Sequence, residues 1–301
     1  MKFFSTRFIF IFFALSFCNF TFAATYYSQA NNQLFSTLSN WNTNSGGGGS
    51  NPVAADLTDG TNTFIIQNGH TITLDQDISV AVLTIGAGAS GTLTIGNSTT
   101  ARTVTIAGNL SVLAGANLNV GAFNAVHTLT VGGNISNAGT FNLVNTAVTR
   151  VCNTTMNGTG FPTITGTSTP IFNDLTISAG SAGADITRTT TVTGNFLVTN
   201  STPVTTAQNL TVTGSFTVNT GSTFTASGGT VTFNNATSQT IDVNNTSFVG
   251  IAFTVGGTKT IVGGITATGA FTVGAGVTVN DASAAHTLTG GTTMNNIGVL
   301  N

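Results

Sequence analysis

The chain has 301 residues, 40% hydrophobic and only 5% charged, with 37 Gly and 4 Pro. That apolar content and low charge exclude a disordered polyelectrolyte, and six Lys and Arg in all leave no basic patch for phosphates, which excludes nucleic acid as a partner. All eight acidic residues are Asp, and a chain without Glu but rich in Thr, Val, Gly and Asn is expected to be all-β rather than helical.

The N-terminus reads as a signal peptide over residues 1–23. Lys2 and Arg7 flank an apolar run from Phe8 to Phe17, and Thr21-Phe22-Ala23 offers small residues for cleavage after Ala23 or Ala24. The run is shorter than the roughly 20 residues of a spanning helix, so the mature chain is expected to carry no membrane span and to be secreted or held at the outer cell surface. Cys18 is preceded by Phe17, where a lipidation signal needs a small residue. After cleavage Cys152 stands alone, which rules out an intrachain disulfide. Its alternating surroundings mark it as a small core residue.

Residues 24–63 are irregular and are expected to cap the exposed end of a repetitive fold. They hold the single Trp41 and both tyrosines, Tyr26 and Tyr27. These aromatics are the candidates for stacking on a sugar ring, with an aromatic plug as the alternative. Gly46 to Gly49 lacks the Lys-Ser/Thr and the helix of a phosphate loop.

From Phe64 the chain reads FIIQNGHTITLDQDISVAVLTIG: a strand, a turn at Asn68-Gly69, a strand at 71–74, a turn at 75–77, then strands at 83–85 and 93–95. Asp75 and Asp77 are the candidates for calcium, which takes six to eight oxygens, although Asp is also an ordinary turn residue.

One pattern then recurs. VTIAGNLSVLAGANLNVG starts at Val104, LTVGGNISNAGTFNLVN at Leu129, LTVTGSFTVNTGSTFTASG at Leu210 and ITATGAFTVGAGVTVND at Ile265. Alternation of period two places Val104, Ile106, Leu110 and Val112 on a buried face and Thr103, Thr105 and Ser111 on a wet one. Gly108, Gly133, Gly214 and Gly269 are expected at turns with left-handed backbone angles. One such unit cannot close a core, but stacked units can. Gly108 to Gly133 and Gly194 to Gly214, 25 and 20 residues apart, fit one coil each. The expected fold over 64–301 is a right-handed parallel β-helix, or β-solenoid, with an irregular N-terminal cap.

The segment TYYSQANNQLFSTLSNWNTN followed by NTFIIQNGHTITLDQDISVAVLTIG resembles the N-terminal region of large secreted surface proteins of Bacteroidetes-type bacteria. It is also similar to the start of the G-eight domain of some extracellular carbohydrate-active proteins. In the place where that domain often carries Pro-x-x-Gly-Asp, this chain has Leu57-Thr58-Asp59-Gly60-Thr61-Asn62. A second cassette, GTVTFNNATSQTIDVNNTSFVGIAFTVGGTKTIVGGITATGAFTV from Gly229, resembles the β-strand repeats of such surface proteins. The resemblance implies an exported, adhesin-like or stalk-forming protein without enzymatic activity or cofactor. Its partners would be extracellular glycans or a host or neighbouring cell surface. Residues 276–301 track 117–142 at an offset of 159, pairing His127 with His286 and Leu129 with Leu288. The pattern stops mid-unit at Asn301, so a longer protein with further domains, or a covering partner chain, is expected.

Two rival classes follow from the residues. A polysaccharide-degrading β-helix would gather Asp174 and Asp185 with Arg150 and Arg188 across adjacent coils. An ice-binding solenoid would line Thr71/Thr73, Thr92/Thr94, Thr103/Thr105, Thr211/Thr213 and Thr266/Thr268 along one flat face. His70, His127 and His286 are too widely spaced for a local ligand set.

Overall fold

The computed structural model describes residues 23–145, 149–244 and 246–282, together with the backbone of Thr287–Leu288, Thr293–Asn296 and Val299–Leu300. Residues 1–22 of the leader and His286 lie outside the described residues. The fold is a parallel β-solenoid of about 10 turns. Its strands form a 23-stranded and an 11-stranded sheet among the described residues.

Three faces make the wall. The first runs through Thr63–Gln67, Val82–Ala87, Leu110–Val112 and Ile135–Asn137, each pairing in parallel with the next. The second begins with Thr71–Leu74, Gly91–Ile95 and Ala116–Val120. The third begins with Ile78–Val80, Thr103–Ile106 and Ala125–Val131. The chain visits the faces in that order and returns to the first one rung higher. Two long strands, Thr223–Phe233 and Thr246–Phe253, bend across the corner between the first and second faces with a register shift between Ala226 and Thr230. They join those two faces into the larger sheet. Because Phe64 pairs with Leu83 while Ile135 pairs with Ile164, one turn takes as few as 19 and as many as 29 residues. The variation falls in the corner loops, where insertions disturb neither core nor ladder.

Alternation does what the sequence requires. Val104, Ile106, Leu110 and Val112 are buried, and Thr103, Thr105 and Ser111 face outward. The interior holds phenylalanines at touching distance on successive rungs. Phe141 lies 4.9 Å from Phe172, Phe196 stacks 5.1 Å from Phe216, and Phe233 stacks 5.6 Å from Phe253. Such pairs contribute about 0.5–1.5 kcal/mol each beyond the burial of their area.

The corner glycines differ from the sequence expectation. Gly108, Gly133, Gly214 and Gly269 are not among the residues with positive φ. They are glycine because rungs touch there: a Cβ on Gly133, Gly214 or Gly269 would fall inside 3.0 Å of the backbone of Gly108, Gly194 or Val249. The Gly214 N–H donates to the Gly194 carbonyl at 2.8 Å, and the Gly133 N–H to Gly108 at 2.8 Å. The Asn or Asp at the corresponding corner position has its own task. Asn109 Oδ1 accepts the Asn134 N–H, Asn134 Oδ1 the Thr163 N–H, Asp174 Oδ1 the Asn195 N–H and Asn195 Oδ1 the Ser215 N–H. Each side chain satisfies a corner amide one rung up, which would otherwise lack a ladder partner.

The repeated motif is therefore a strand plus its corner, one third of a turn. Gly108 and Gly133 sit between the third and first faces. Gly214 sits between Leu210–Val212 on the second face and Phe216–Val218 on the third, and Gly269 between Ile265–Ala267 on the first and Ala270–Val273 on the second. The 159-residue offset obeys the same rule. Thr128 pairs with Thr103 on the third face, whereas its counterpart Thr287 pairs with Thr266 on the first.

The N-terminal cap is built into the ladder. Thr25–Ser28 pairs in parallel with Thr63–Gln67, and Gln33–Leu34 with Thr71–Leu74, so residues 24–63 supply an incomplete first coil. Trp41–Asn42 pairs with Thr25–Ser28 in antiparallel sense, and Trp41 turns inward to close the end of the core.

Candidate functional site

The aromatic candidates are placed mostly inside. Trp41 is fully buried; its ring centroid lies 4.8 Å from that of Phe35 and 5.0 Å from that of Phe64, and its Nε1–H donates to the Phe35 carbonyl at 2.9 Å. Stacking on a sugar needs an open ring face, and Trp41 has none. Tyr26 is buried against Phe64, and its hydroxyl donates to Asp56 Oδ2 at 2.8 Å. Burial first, then that hydrogen bond and the charges of Asp56 and Asp59, push its pKa to about 12. Tyr27 points outward, half-buried, in the same strand. The plug alternative describes Trp41 and Tyr26; of the three, Tyr27 offers the most surface.

Both calcium candidates act as acceptors within the fold. Asp75 takes the Ser36 N–H at 3.0 Å and the Ser36 hydroxyl at 2.6 Å, tying the cap to the second face. Asp77 takes the Thr103 N–H at 2.8 Å across one rung. No group of three or more His, Cys, Asp or Glu suited to a metal occurs among the described residues.

The acid–base candidates are not brought together. Asp174 caps Asn195 in the corner between the second and third faces, Asp185 accepts the Thr205 hydroxyl at 2.9 Å on the first face, and Arg188 lies in the corner between the first and second. Arg150 donates from Nε to Asn124 Oδ1 at 3.0 Å. The five Thr pairs are likewise spread over three faces. Thr71/Thr73 and Thr92/Thr94 stack on the second face, but the next rung carries Asn117 and Asn119. Thr103/Thr105 lie on the third face, and Thr266 on the first. The single array that an ice-binding face would need does not form, because strands of the same sequence pattern occupy all three faces.

Two ionisable groups are buried where the sequence reading did not place them in the core. His127 points into the third face and is 1% exposed. Its Nδ1 accepts the Arg102 N–H at 3.0 Å, which holds down the loop 96–102, and Gly96, at φ +87°, leaves no room for a Cβ beside the ring. Lys259 is fully buried, and its Nζ donates to the carbonyl oxygens of Asn235 and Gly256. Burial lowers its pKa. The signal for both was parity: His127 shares the inward register of Leu129 and Val131, and Lys259 that of Ile261. Cys152, beside His127 on the next rung, is buried as expected, and burial raises its thiol pKa.

His127 makes stability depend on pH. Burial, then the nearby Arg102 charge, hold its pKa below the ordinary 6.5; among the described residues, Arg102 bonds it from one side and Cys152 is its register partner on the next rung. The folded state therefore takes up a proton at lower pH than the unfolded chain. The group's contribution is complete above about pH 6.5 and is lost as pH falls from there through the folded value. The urea midpoint followed from about pH 7.5 to about pH 4.5 is expected to fall more steeply in the wild type than in His127→Leu. Parallel curves would show that His127 is not the group responsible.

Two surface clefts lie along the wall. One, of about 370 Å³, overlies Thr105 and Thr130 on the third face and is edged by residues 157–160. The other, of about 460 Å³, overlies Thr94, Asn119 and Asn142 on the second face and is edged by residues 120–122 and 144–145. No helix among the described residues is long and apolar enough to cross a membrane.

Fold and surface together define the chain as a parallel β-solenoid with sparsely charged, hydroxyl- and amide-bearing walls. No family model, curated protein or solved structure matches the chain.

Proposed function

We propose that this chain is an exported, non-enzymatic surface or matrix protein, an adhesin-like element or stalk whose task is to span distance and present a wall. The observation that carries this reading is the continuity of the three ladders. The second face passes from Thr73 through Thr94, Asn119 and Asn142, and again from Thr191 through Thr211 to Thr232, rung upon rung. About 10 turns at about 4.8 Å each give a rod of roughly 50 Å. Of the side chains that a hydrolase would gather, Asp174, Asp185 and Arg150 instead bond to neighbouring rungs. The leader supports export.

The test is expression of the full chain in a bacterium with an outer membrane. The product is expected outside the inner membrane with its N-terminus at Ala24 or Thr25, and small-angle scattering of the purified product is expected to give an elongated particle. Retention in the cytoplasm with Met1 intact would overturn the export reading, and a spherical particle the spacer reading.

A further inference from the structure

We infer that the cap holds a seat for the chain's own mature N-terminus: the leader is cut between Ala23 and Ala24, and the new α-ammonium of Ala24 is held by Asn62 with the carboxylates of Asp56 and Asp59 behind it. Such a seat rests on the export reading, because an uncleaved chain has no amine at Ala24.

Ala24 is the point where the fold begins to use the chain. Its side chain packs against the core, its N–H donates to Asn62 Oδ1 at 2.8 Å, and its carbonyl accepts the Thr63 N–H at 2.8 Å. The first strand, Thr25–Ser28, follows at once. Ala23, by contrast, is exposed. A cut after Ala24 would discard both bonds, whereas a cut after Ala23 keeps them.

The receiving side is a buried amide backed by charge. Asn62 is 3% exposed. Its neighbours fix which way it points: Oδ1 faces the Ala24 donor, and Nδ2 donates to Asp59 Oδ2 and Oδ1 at 3.1 and 3.2 Å. Asp56 Oδ1 lies 3.4 Å from the same nitrogen, and Asp56 Oδ2 accepts the Tyr26 hydroxyl. Two carboxylates thus converge on the amide that holds the Ala24 nitrogen. Among the described residues, every donor they bond is uncharged: the Tyr26 hydroxyl, the Val53 and Thr61 N–H groups and the Asn62 amide. Paired like charges without a counter-charge are unfavourable, and a cation among them relieves the repulsion. Hydrolysis of the Ala23–Ala24 bond makes that cation. One water is consumed: its oxygen goes to the Ala23 carboxylate, and both its hydrogens go to the Ala24 nitrogen. The amide with one N–H becomes an ammonium with three.

The full chain is expressed with its leader, and the exported product is sequenced from its N-terminus and then compared before and after treatment with acetic anhydride. With Lys2 removed, Lys259 is the one lysine left and is fully buried, so the reagent meets the α-amine. The product is expected to start at Ala24. Acetylation removes the charge but leaves an N–H for Asn62. Hydrogen exchange at the Thr63 amide, which bonds the Ala24 carbonyl, is expected to speed up about three- to fivefold on acetylation, the size of a partly exposed ion pair. In Asp59→Asn, which keeps an acceptor but not the charge, acetylation is expected to change nothing. A product starting at Thr25, equal exchange before and after acetylation, or an undiminished rise in Asp59→Asn would overturn the proposal and leave export standing. A chain retained with Met1 intact would overturn the export reading and the seat with it.

Discussion

Gly214→Ala is expected to destabilise the solenoid by roughly 2–3 kcal/mol, a large effect for one methyl group. The added Cβ would come inside 3.0 Å of the Gly194 carbonyl and of the Asn195 nitrogen, all backbone atoms of the rung below. A flexible side chain can move aside, but a ladder cannot. Relief requires the two rungs to part at that corner, which stretches the 2.8 Å bond from the Gly214 N–H to Gly194 and the 2.9 Å bond from the Ser215 N–H to Asn195 Oδ1. The matched control is Gly160→Ala, where no atom lies within 4 Å of the new Cβ and φ is not positive; a change within about 0.5 kcal/mol is expected there. Urea unfolding of both variants beside the wild type decides the matter. Equal midpoints for Gly214→Ala and Gly160→Ala would mean that corner contact does not hold the rungs in register.

The same glycine shows how far the sequence could be read. Spacing alone identified Gly194 and Gly214 as one coil apart, and the N–H of one bonds the carbonyl of the other. Alternation alone separated Val104 and Ile106 from Thr103 and Thr105 correctly. What spacing does not carry is the number of faces per turn. A strand ending in a Gly and a small polar residue serves any of the three corners, so copies that look equivalent, such as Gly133 and Gly269, lie at different corners. For the same reason the Thr pairs read as one array and fold as parts of three. The reason for each glycine was also hidden: close approach and positive φ leave the same letter in the sequence, and only coordinates separate Gly214 from Gly96.

Side-chain roles were less legible than the fold. Trp41 looks the same in sequence whether it plugs a core or faces solvent, and the neighbours that bury it, Phe35 and Phe64, lie in segments whose pairing depends on the cap joining the ladder. Asp75 and Asp77 are two residues apart, yet they bond in opposite directions along the rod, to Ser36 and to Thr103. Sequence proximity in a solenoid corner does not make a shared site.

Phe216→Ala is expected to have the largest effect of all, about 3–5 kcal/mol. Phe216 is fully buried and stands at the centre of the aromatic stack. Its ring lies 5.1 Å from Phe196 on the rung below, 5.1 Å from Phe224, 5.5 Å from Phe233 and 6.4 Å from Phe248. Removing it opens a cavity that these neighbours cannot close, since each is fixed in a strand of the ladder. In a stacked fold each coil is supported mainly by the coils beside it, so the loss is expected to be local before it is global. Hydrogen exchange should rise first in Phe196–Val198 and Ser238–Asp242, the rungs that pair with Phe216–Val218 on either side, while Thr71–Leu74 near the cap keeps its protection. Phe216→Leu keeps much of the volume and is expected to lose less than half as much. A Phe216→Ala chain that exchanged uniformly from cap to last rung would show a single cooperative core, and would contradict the picture of coils that stand or fall with their neighbours.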